Sequence, residues 1–391
     1  MTQPAPPGGT PDLLYRETEN DLRNAVRDFF TERCPATAVL SRIESGEPYD
    51  LPLWHALAAD LGCSGLLVPE ASGGAGASYR EAAVVAEETG RSVAPVPYLG
   101  SAVVATAALL AATGPEPATG DDGKLLAALA EGSATAALAV PFETAPDSAG
   151  LTSVRVTGAP AGDGARLTGA VIGVADALPA DVLLVPADGV PYGLYAVDAR
   201  AGGVTKAPVV SLDGTRKLCD LTLDAAPARR IAAGDAAVAA VTAALSGGAA
   251  MLAAEQLGVA ERCLEMTTAY VKERHQFARP IGSFQAIKHR LADLFVLVTQ
   301  ARAVARYAAA CLADGSQDAP VAVAMAKSYC GEAAVKAAEE CVQLHGGIGF
   351  TWEHPAHLYL KRAKSGSVAF GTPDRHRATL AGLVNLPGPR S

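Results

Sequence analysis

Apolar positions recur at helical spacing from Leu13 to about Glu131. Leu22, Ala25, Val26, Phe29 and Phe30 mark one face of a helix over 20–34, and similar patterns predict helices over 51–61 and 80–89. Between the last two lies a glycine-rich run, 68–76, whose composition reads as a flexible connection. The period changes near Ala134. Short apolar runs at 136–141, 154–157, 165–174, 182–185, 192–197 and 218–223 alternate with Gly, Pro and Asp, the pattern of strands bounded by turns. They predict a small β-barrel or sandwich of roughly 100 residues that ends at Ala226-Pro227-Ala228. Helical periodicity returns over 235–273, 283–313 and 319–344, with a last helix from near Thr372. The predicted fold class is therefore α+β and multi-domain. A disordered tail covers 1–13, an N-terminal helical domain 14–132, a central β-barrel or sandwich 133–232, and a C-terminal four-helix bundle 233–391. The stripes of the long helices are wide and rich in alanine, which predicts further burial against a partner subunit.

Composition narrows the function classes. The chain has 391 residues, 50% of them hydrophobic, and a net charge of -9, so no basic stripe is available to make nucleic acid the main partner. Seven cysteines are scattered without CxxC spacing, the pattern of reduced thiols in a cytosolic protein. The opening residues, MTQPAPPGGTP, lack the layout of a signal peptide. The alanine-rich runs near 101–112 and 236–254 are broken by polar residues and do not read as membrane spans. A soluble, cytoplasmic location is expected. The histidines, among them His275, His289, His345, His354, His357 and His376, show no metal-ligand spacing, and His354 and His357 read as surface or interface groups.

Candidate chemistry concentrates in 274–294, RHQFARPIGSFQAIKHRLADL. Arg274 and Gln276 precede a Pro/Gly turn at 280–282, and an amphipathic helix follows with Phe284, Ile287, Leu291, Leu294 and Phe295 along one face. A guanidinium and backbone amides at such a junction can meet an anionic ligand together, although a Pro/Gly turn with a flanking arginine is more often a plain connection.

Three stretches resemble the acyl-CoA dehydrogenase family. RHQFARPIGSFQ is similar to its R-x-Q-F-G-x-P-I-x-x-F-Q signature, with Ala278 in place of the usual glycine. Gln343-Leu344-His345-Gly346-Gly347-Ile348-Gly349-Phe350-Thr351 is similar to its glycine-rich stretch, and the loop 69–76 to its P-E-x-x-G-G-x-G. The resemblance covers nearly the whole chain. It implies an FAD enzyme that oxidises an acyl-CoA thioester between Cα and Cβ, with electron-transfer flavoprotein as acceptor. A carboxylate takes the α-proton and donors stabilise the developing enolate. It further implies that Arg274, Gln276, Phe277, Gln285, Gln343, Gly346 and Gly347 contact the pyrophosphate and adenosine part of an FAD bound mainly by a neighbouring subunit. Arginine suits a diphosphate, and glycine lets backbone approach it closely.

Other family positions are changed. Phe370-Gly371-Thr372 stands where many members carry the base in E-G-T. The alternative base position, counted back along the long helix, falls near Gly248 within Ser246-Gly247-Gly248-Ala249. A mid-helix glycine pair costs about 1 kcal/mol per residue against alanine, so either something packs close there or a site has decayed. In the β-domain the ring-binding T-E-P and W-I-T segments correspond to the stretch 140–148 and to Gly173 and Ala175. The chain therefore resembles the subunit without the catalytic glutamate in heteromeric actinobacterial acyl-CoA dehydrogenases that act on steroid side-chain thioesters. That implies no catalytic residue of its own, no metal, and a homologous partner carrying the base. The alternatives are a self-sufficient flavoenzyme with a relocated base such as Glu143, a monooxygenase-type chemistry on the same fold, and a structural subunit without flavin. Glu255 and Glu261 read as interhelix salt-bridge partners.

Overall fold

One helix is buried on every side through its middle, and the other elements are arranged about it. The computed structural model describes residues 12–47, 49–114, 118–158 and 164–387, so residues 1–11 of the expected disordered tail lie outside the described residues. The N-terminal region contains α1 (Glu17–Arg33), α2 (Ala36–Glu44), α3 (Leu51–Ala59), α4 (Tyr79–Arg91), a π-helical stretch (Tyr98–Ala105) running into α5 (Thr106–Thr113), and α6 (Gly120–Glu131). The strands are β1 (Ala136–Leu138), β2 (Arg155–Gly158), β3 (Ala165–Ala175), β4 (Val182–Ala187), β5 (Gly193–Asp198), β6 (Val204–Pro208) and β7 (Leu218–Ala233). The C-terminal region has three long helices, α7 (Asp235–Glu273), α8 (Gln285–Ala313) and α9 (Ala319–His345), and two short ones, α10 (Ala356–Val368) and α11 (Pro373–Leu383).

Residues 247–260 of α7 are all buried. Helix α4, α5 and the π-helical stretch cover it from the N-terminal side, and α8, α9 and α10 from the other. A helix apolar all round needs such a complete jacket. By length and composition α7 and α8 could each cross a membrane, but the most apolar window of α7 is 67% buried within the protein. The closest approach is between α4 and α7. A Cβ on Gly90 would lie 2.0 Å from the Glu255 carbonyl oxygen, and one on Gly258 would lie 1.8 Å from that of Glu87. Here the two backbones touch, and no side chain fits between them.

The glycine-rich run 68–76 is not a flexible connection. Glu70–Ser72 forms a 3₁₀ turn, and the amides of Gly74, Ala75, Gly76 and Ala77 donate to the carbonyls of Pro69, Gly65, Val68 and Leu66. Its polar backbone groups are satisfied locally, which glycine's small size permits.

The central strands form one open seven-stranded sheet in the order β1-β4-β5-β7-β3-β2, with β6 also paired to β7. It is sandwich-like and not a closed barrel. Among the described strand ladders, β1 and β4 pair in parallel and the others antiparallel. The Ala226-Pro227-Ala228 run does not end the sheet, because β7 continues to Ala233 and pairs there with β5. Pro227 is tolerated beside a ladder irregularity, with Ala225 left-handed at φ 49°. The bundle also departs from the sequence expectation, because α10 precedes the predicted last helix. All seven cysteines are buried and free.

A buried charge cluster ties the sheet to α7. Glu255 receives two bonds from Arg216, at 3.1 and 2.6 Å, and one from Arg362 Nε at 2.7 Å. Arg362 also donates to Thr215 at 3.0 Å, and Glu255 thereby joins α7, α10 and the loop before β7. Glu261 pairs with Arg302 of α8 at 2.7 Å, an interhelix bridge of the expected kind. Burial alone would raise the Glu255 carboxyl, but Arg216 and then Arg362 outweigh it and hold it at about 2. Its stabilising contribution is thus complete above pH 4.5, its ordinary value, and is lost as pH falls from there towards 2. Glu255→Gln is expected to destabilise the chain by about 3 kcal/mol at neutral pH, because it removes the carboxylate bonded to two buried guanidinium groups and leaves Asp213, 3.7 Å from Arg362, as their remaining acid. Denaturant unfolding across pH checks this, with the gap from wild type narrowing below pH 4.5. A gap that stays constant down to pH 2 contradicts it.

Candidate functional site

The expected flavin-contacting residues gather at one end of the bundle. Tyr270, near the end of α7, stacks on His345, the last residue of α9, with ring centroids 4.4 Å apart. His345 stacks in turn on His354 at 4.2 Å. His345 is buried, and its Nδ1 lies 2.6 Å from the Cys341 carbonyl oxygen. This contact sets the R-x-Q-F and Q-x-x-G-G stretches side by side. Arg274 directly follows α7, Gly346 directly follows α9, and Gln285 opens α8. Arg274, Gln276, Phe277, Gln285, Gln343, Gly346 and Gly347 are all exposed. His354 and His357 are half-buried in ring contacts, His357 against Trp352 at 4.9 Å, and are not plain surface groups.

The turn after α7 is a two-residue hairpin, a feature that periodicity did not reveal. His275-Gln276 pairs with Arg279-Pro280, and the Ile281 amide donates to the Arg274 carbonyl at 2.8 Å. Phe277 and Ala278 form the tip at φ 53° and 60°, the left-handed pair that a type I′ turn requires. The hairpin projects Phe277, 87% exposed, into solvent, while Arg279 lies over the Phe284 ring at 3.9 Å. Of the predicted apolar face of α8, Leu294 is buried, Ile287 and Leu291 are half-buried, and Phe295 points outward. A diphosphate fits this surface. Arg274 offers an exposed fork of donors, and a Cβ added to Gly346 or Gly347 would meet nothing within 4 Å.

The positions that the resemblance assigns to the family's base and ring contacts meet one another, with Phe142, Gly248 and Phe370 buried and Gly173 half-buried. Phe370 is buried, left-handed at φ 52°, and packs edge-on against Phe142 with centroids 5.5 Å apart. Backbone bonds close the same gap: Phe370 N–H donates to the Phe142 carbonyl at 2.8 Å, and Phe142 N–H to the Gly173 carbonyl at 3.0 Å. A Cβ on Gly248 would lie 2.9 Å from Phe370 Cζ and 2.8 Å from Val104 Cγ2, so Gly248 has a packing partner. Glu143 is an exposed loop carboxylate. The planar ring of an FAD does not fit between Phe142, Gly173 and Phe370 as they stand, because direct contacts already fill that position.

Two buried ionisable groups near this junction were not singled out by sequence. Asp176, also left-handed, accepts from the Tyr49 hydroxyl at 2.8 Å and the Gly100 amide at 2.9 Å, and burial pushes its carboxyl up. Lys327 donates to the carbonyls of Ser367 and Gly371 at 3.3 Å each, and burial lowers its ammonium to about 7. Their only sequence signal is a charged residue amid apolar neighbours.

Comparisons with known proteins agree with the geometry. Residues 16–119 match the acyl-CoA dehydrogenase N-terminal domain family and residues 238–383 the acyl-CoA dehydrogenase C-terminal domain family. The chain is 36% identical over 357 residues to acyl-CoA dehydrogenase IpdE2 of Mycobacterium tuberculosis, covering 91% of this chain and 94% of that protein. The chain belongs to the acyl-CoA dehydrogenase family. Members are oxidoreductases that act on CH–CH bonds. Among solved structures, the ChsE4-ChsE5 complex from Mycobacterium tuberculosis aligns with TM-score 0.84 at 30% identity, covering 97% of this chain and all of that one. The Tcur3481-Tcur3483 steroid ACAD aligns with TM-score 0.82 at 33% identity, covering 94% and 98%. Butyryl-CoA dehydrogenase from Megasphaera elsdenii shares the fold, with TM-score 0.86 at 24% identity over 96% of this chain and all of that one.

In this member of the family, Ala278 takes the place of the signature glycine at a left-handed position. A non-glycine residue there costs roughly 1–2 kcal/mol, partly offset by glycine's freedom in the unfolded chain. Ala278→Gly should therefore raise stability by about 1 kcal/mol. The denaturant midpoint measures this directly, and an unchanged or lower midpoint counts against strain at the hairpin tip.

Proposed function

We propose that this chain is the non-catalytic-type subunit of a heteromeric, FAD-dependent acyl-CoA dehydrogenase, completing the cofactor site of a homologous partner. The observation that carries this is the division between surface and interior. The residues suited to a dinucleotide's diphosphate side are exposed together, whereas the positions of base and ring are filled by Phe370, Phe142 and their backbone bonds. In this arrangement Arg274 and Gln276 supply donors to the diphosphate, and Phe277, Gln285, Gln343, Gly346 and Gly347 shape the adenosine side. FAD, when bound there, would supply the acceptor for the hydride leaving Cβ. The partner provides the carboxylate that takes the α-proton and the donors that hold the thioester oxygen. Electron-transfer flavoprotein is the expected acceptor.

The relatives support both the assembly and the substrate class. One aligned structure is a complex of two named components and another is described as a steroid ACAD, so the substrate proposed here is a bulky acyl-CoA such as a steroid side-chain thioester. The exposed Phe350 and Trp352, beside the flavin-contacting surface, provide apolar area for a partner subunit to cover.

Co-expression with a homologue that retains the glutamate, followed by flavin and protein quantification, tests the proposal. About one flavin per two chains is expected, with little flavin and no acyl-CoA turnover for this chain alone. A homo-oligomer with one flavin per chain that turns over acyl-CoA with a dye acceptor would refute the proposal.

A further inference from the structure

A small chamber remains behind Phe370. It is lined by Leu99, Val104, Leu138, Val140, Phe142 and Phe370, with Gly100, Ala175 and Asp176 at its margin, and its volume is about 20 Å³. That is room for one water. The π-helical stretch supplies Leu99, Gly100 and Val104, β1 and the segment after it supply Leu138, Val140 and Phe142, the end of β3 and the residue after it supply Ala175 and Asp176, and the Phe370 turn closes the remaining side. The only charged group in the lining, Asp176, already accepts one bond on each carboxylate oxygen, from Tyr49 and from Gly100. What is left is an apolar space.

The ring of Phe370 is what keeps it small. The turn that carries the ring is held from outside the chamber. His376 Nε2 lies 2.8 Å from the Phe370 carbonyl and so carries a proton, and Lys327 donates to the carbonyls on either side of the turn, at Ser367 and Gly371. Thr372 then caps α11 by accepting from the Arg375 amide at 3.3 Å. Opposite the ring, α7 presents Gly248, the one residue without a side chain to collide with Phe370 Cζ. The glycine and the phenylalanine are complementary: a larger residue at 248 needs a smaller one at 370.

We infer that Phe370 is a plug, occupying a chamber that would otherwise take an apolar group the size of a short acyl chain or a benzene ring. It is thereby the residue that denies this chain an acyl group of its own. The inference deepens the proposal of a non-catalytic subunit and rests on it for its biological sense. Its physical content is independent of any flavin or partner. Removing the ring leaves a cavity walled mainly by Leu99, Val104, Leu138 and Val140, with Asp176 at one side, and largely apolar cavities of this kind bind small hydrocarbons.

Thermal unfolding of the full chain with and without benzene tests the plug. Benzene is expected to raise the midpoint of Phe370→Ala by several degrees and to leave wild type unchanged, as ligand linkage requires. A Phe370→Ala midpoint that ignores benzene, or a wild-type midpoint that rises equally, overturns the inference. Should Phe370→Ala fail to fold, a double-mutant cycle decides. Gly248→Ala should lower the wild-type midpoint markedly and cost clearly less beside Phe370→Leu, with Val104 accounting for the remainder. Equal costs in both backgrounds refute the plug. None of these readouts involves flavin stoichiometry, so failure here and failure of the heteromer proposal are told apart.

Discussion

Complete burial of the middle of α7 is the constraint from which most of this structure follows. A helix covered all round tolerates neither bulky crossings nor unpaired charge. At Gly90 and Gly258 the neighbouring helix comes so close that Gly90 abuts the Glu255 carbonyl and Gly258 the Glu87 carbonyl. The one charged side chain in the buried segment, Glu255, is held by two arginines from different parts of the chain. Desolvating three charges is costly, and their mutual bonding offsets that cost only while the geometry is complete. The cluster therefore acts as a registry device, fixing the loop before β7 and α10 against the same turn of α7.

The same helix links the two features that bear on function. Its C-terminal end carries Tyr270, whose stack on His345 sets the stretches after α7 and α9 beside each other at the surface. Its buried middle carries Gly248, which faces Phe370. Retained chemistry lies at the exposed end and filled space lies in the middle. Both are served by one rigid element, α7.

Much of the fold was legible in the sequence because it rests on local period. The long helices and six of the seven strands of the sheet left clear apolar patterns, and the observed bounds of α7 are the predicted ones. The misses have local causes. Helices α2 and α5 are short, β6 (VTKAP) has no buried face to impose alternation, and Pro227 falls where β7 has left its β6 ladder at Leu223 and not yet joined its β5 ladder at Arg229, so β3 is its one paired neighbour there. The run 68–76 looked flexible by composition, but its glycines serve a compact turn whose hydrogen bonds reach back to Gly65 and Leu66.

At the candidate site, the sequence by itself determined which residue types are present: an arginine and amides in a family signature, glycines after a helix, and a phenylalanine and a glycine where carboxylates are expected. Those facts follow from identity and spacing along the chain. Only the tertiary structure decided what they do to each other. Gly248 and Phe370 are 122 positions apart in sequence, and nothing in either stretch shows that one ring fills the other's space. The same holds for Glu255 with Arg216 and Arg362, and for Phe142 bonding to Phe370 through backbone. Periodicity reports which face of an element is buried; which side chain it meets there depends on how distant elements cross.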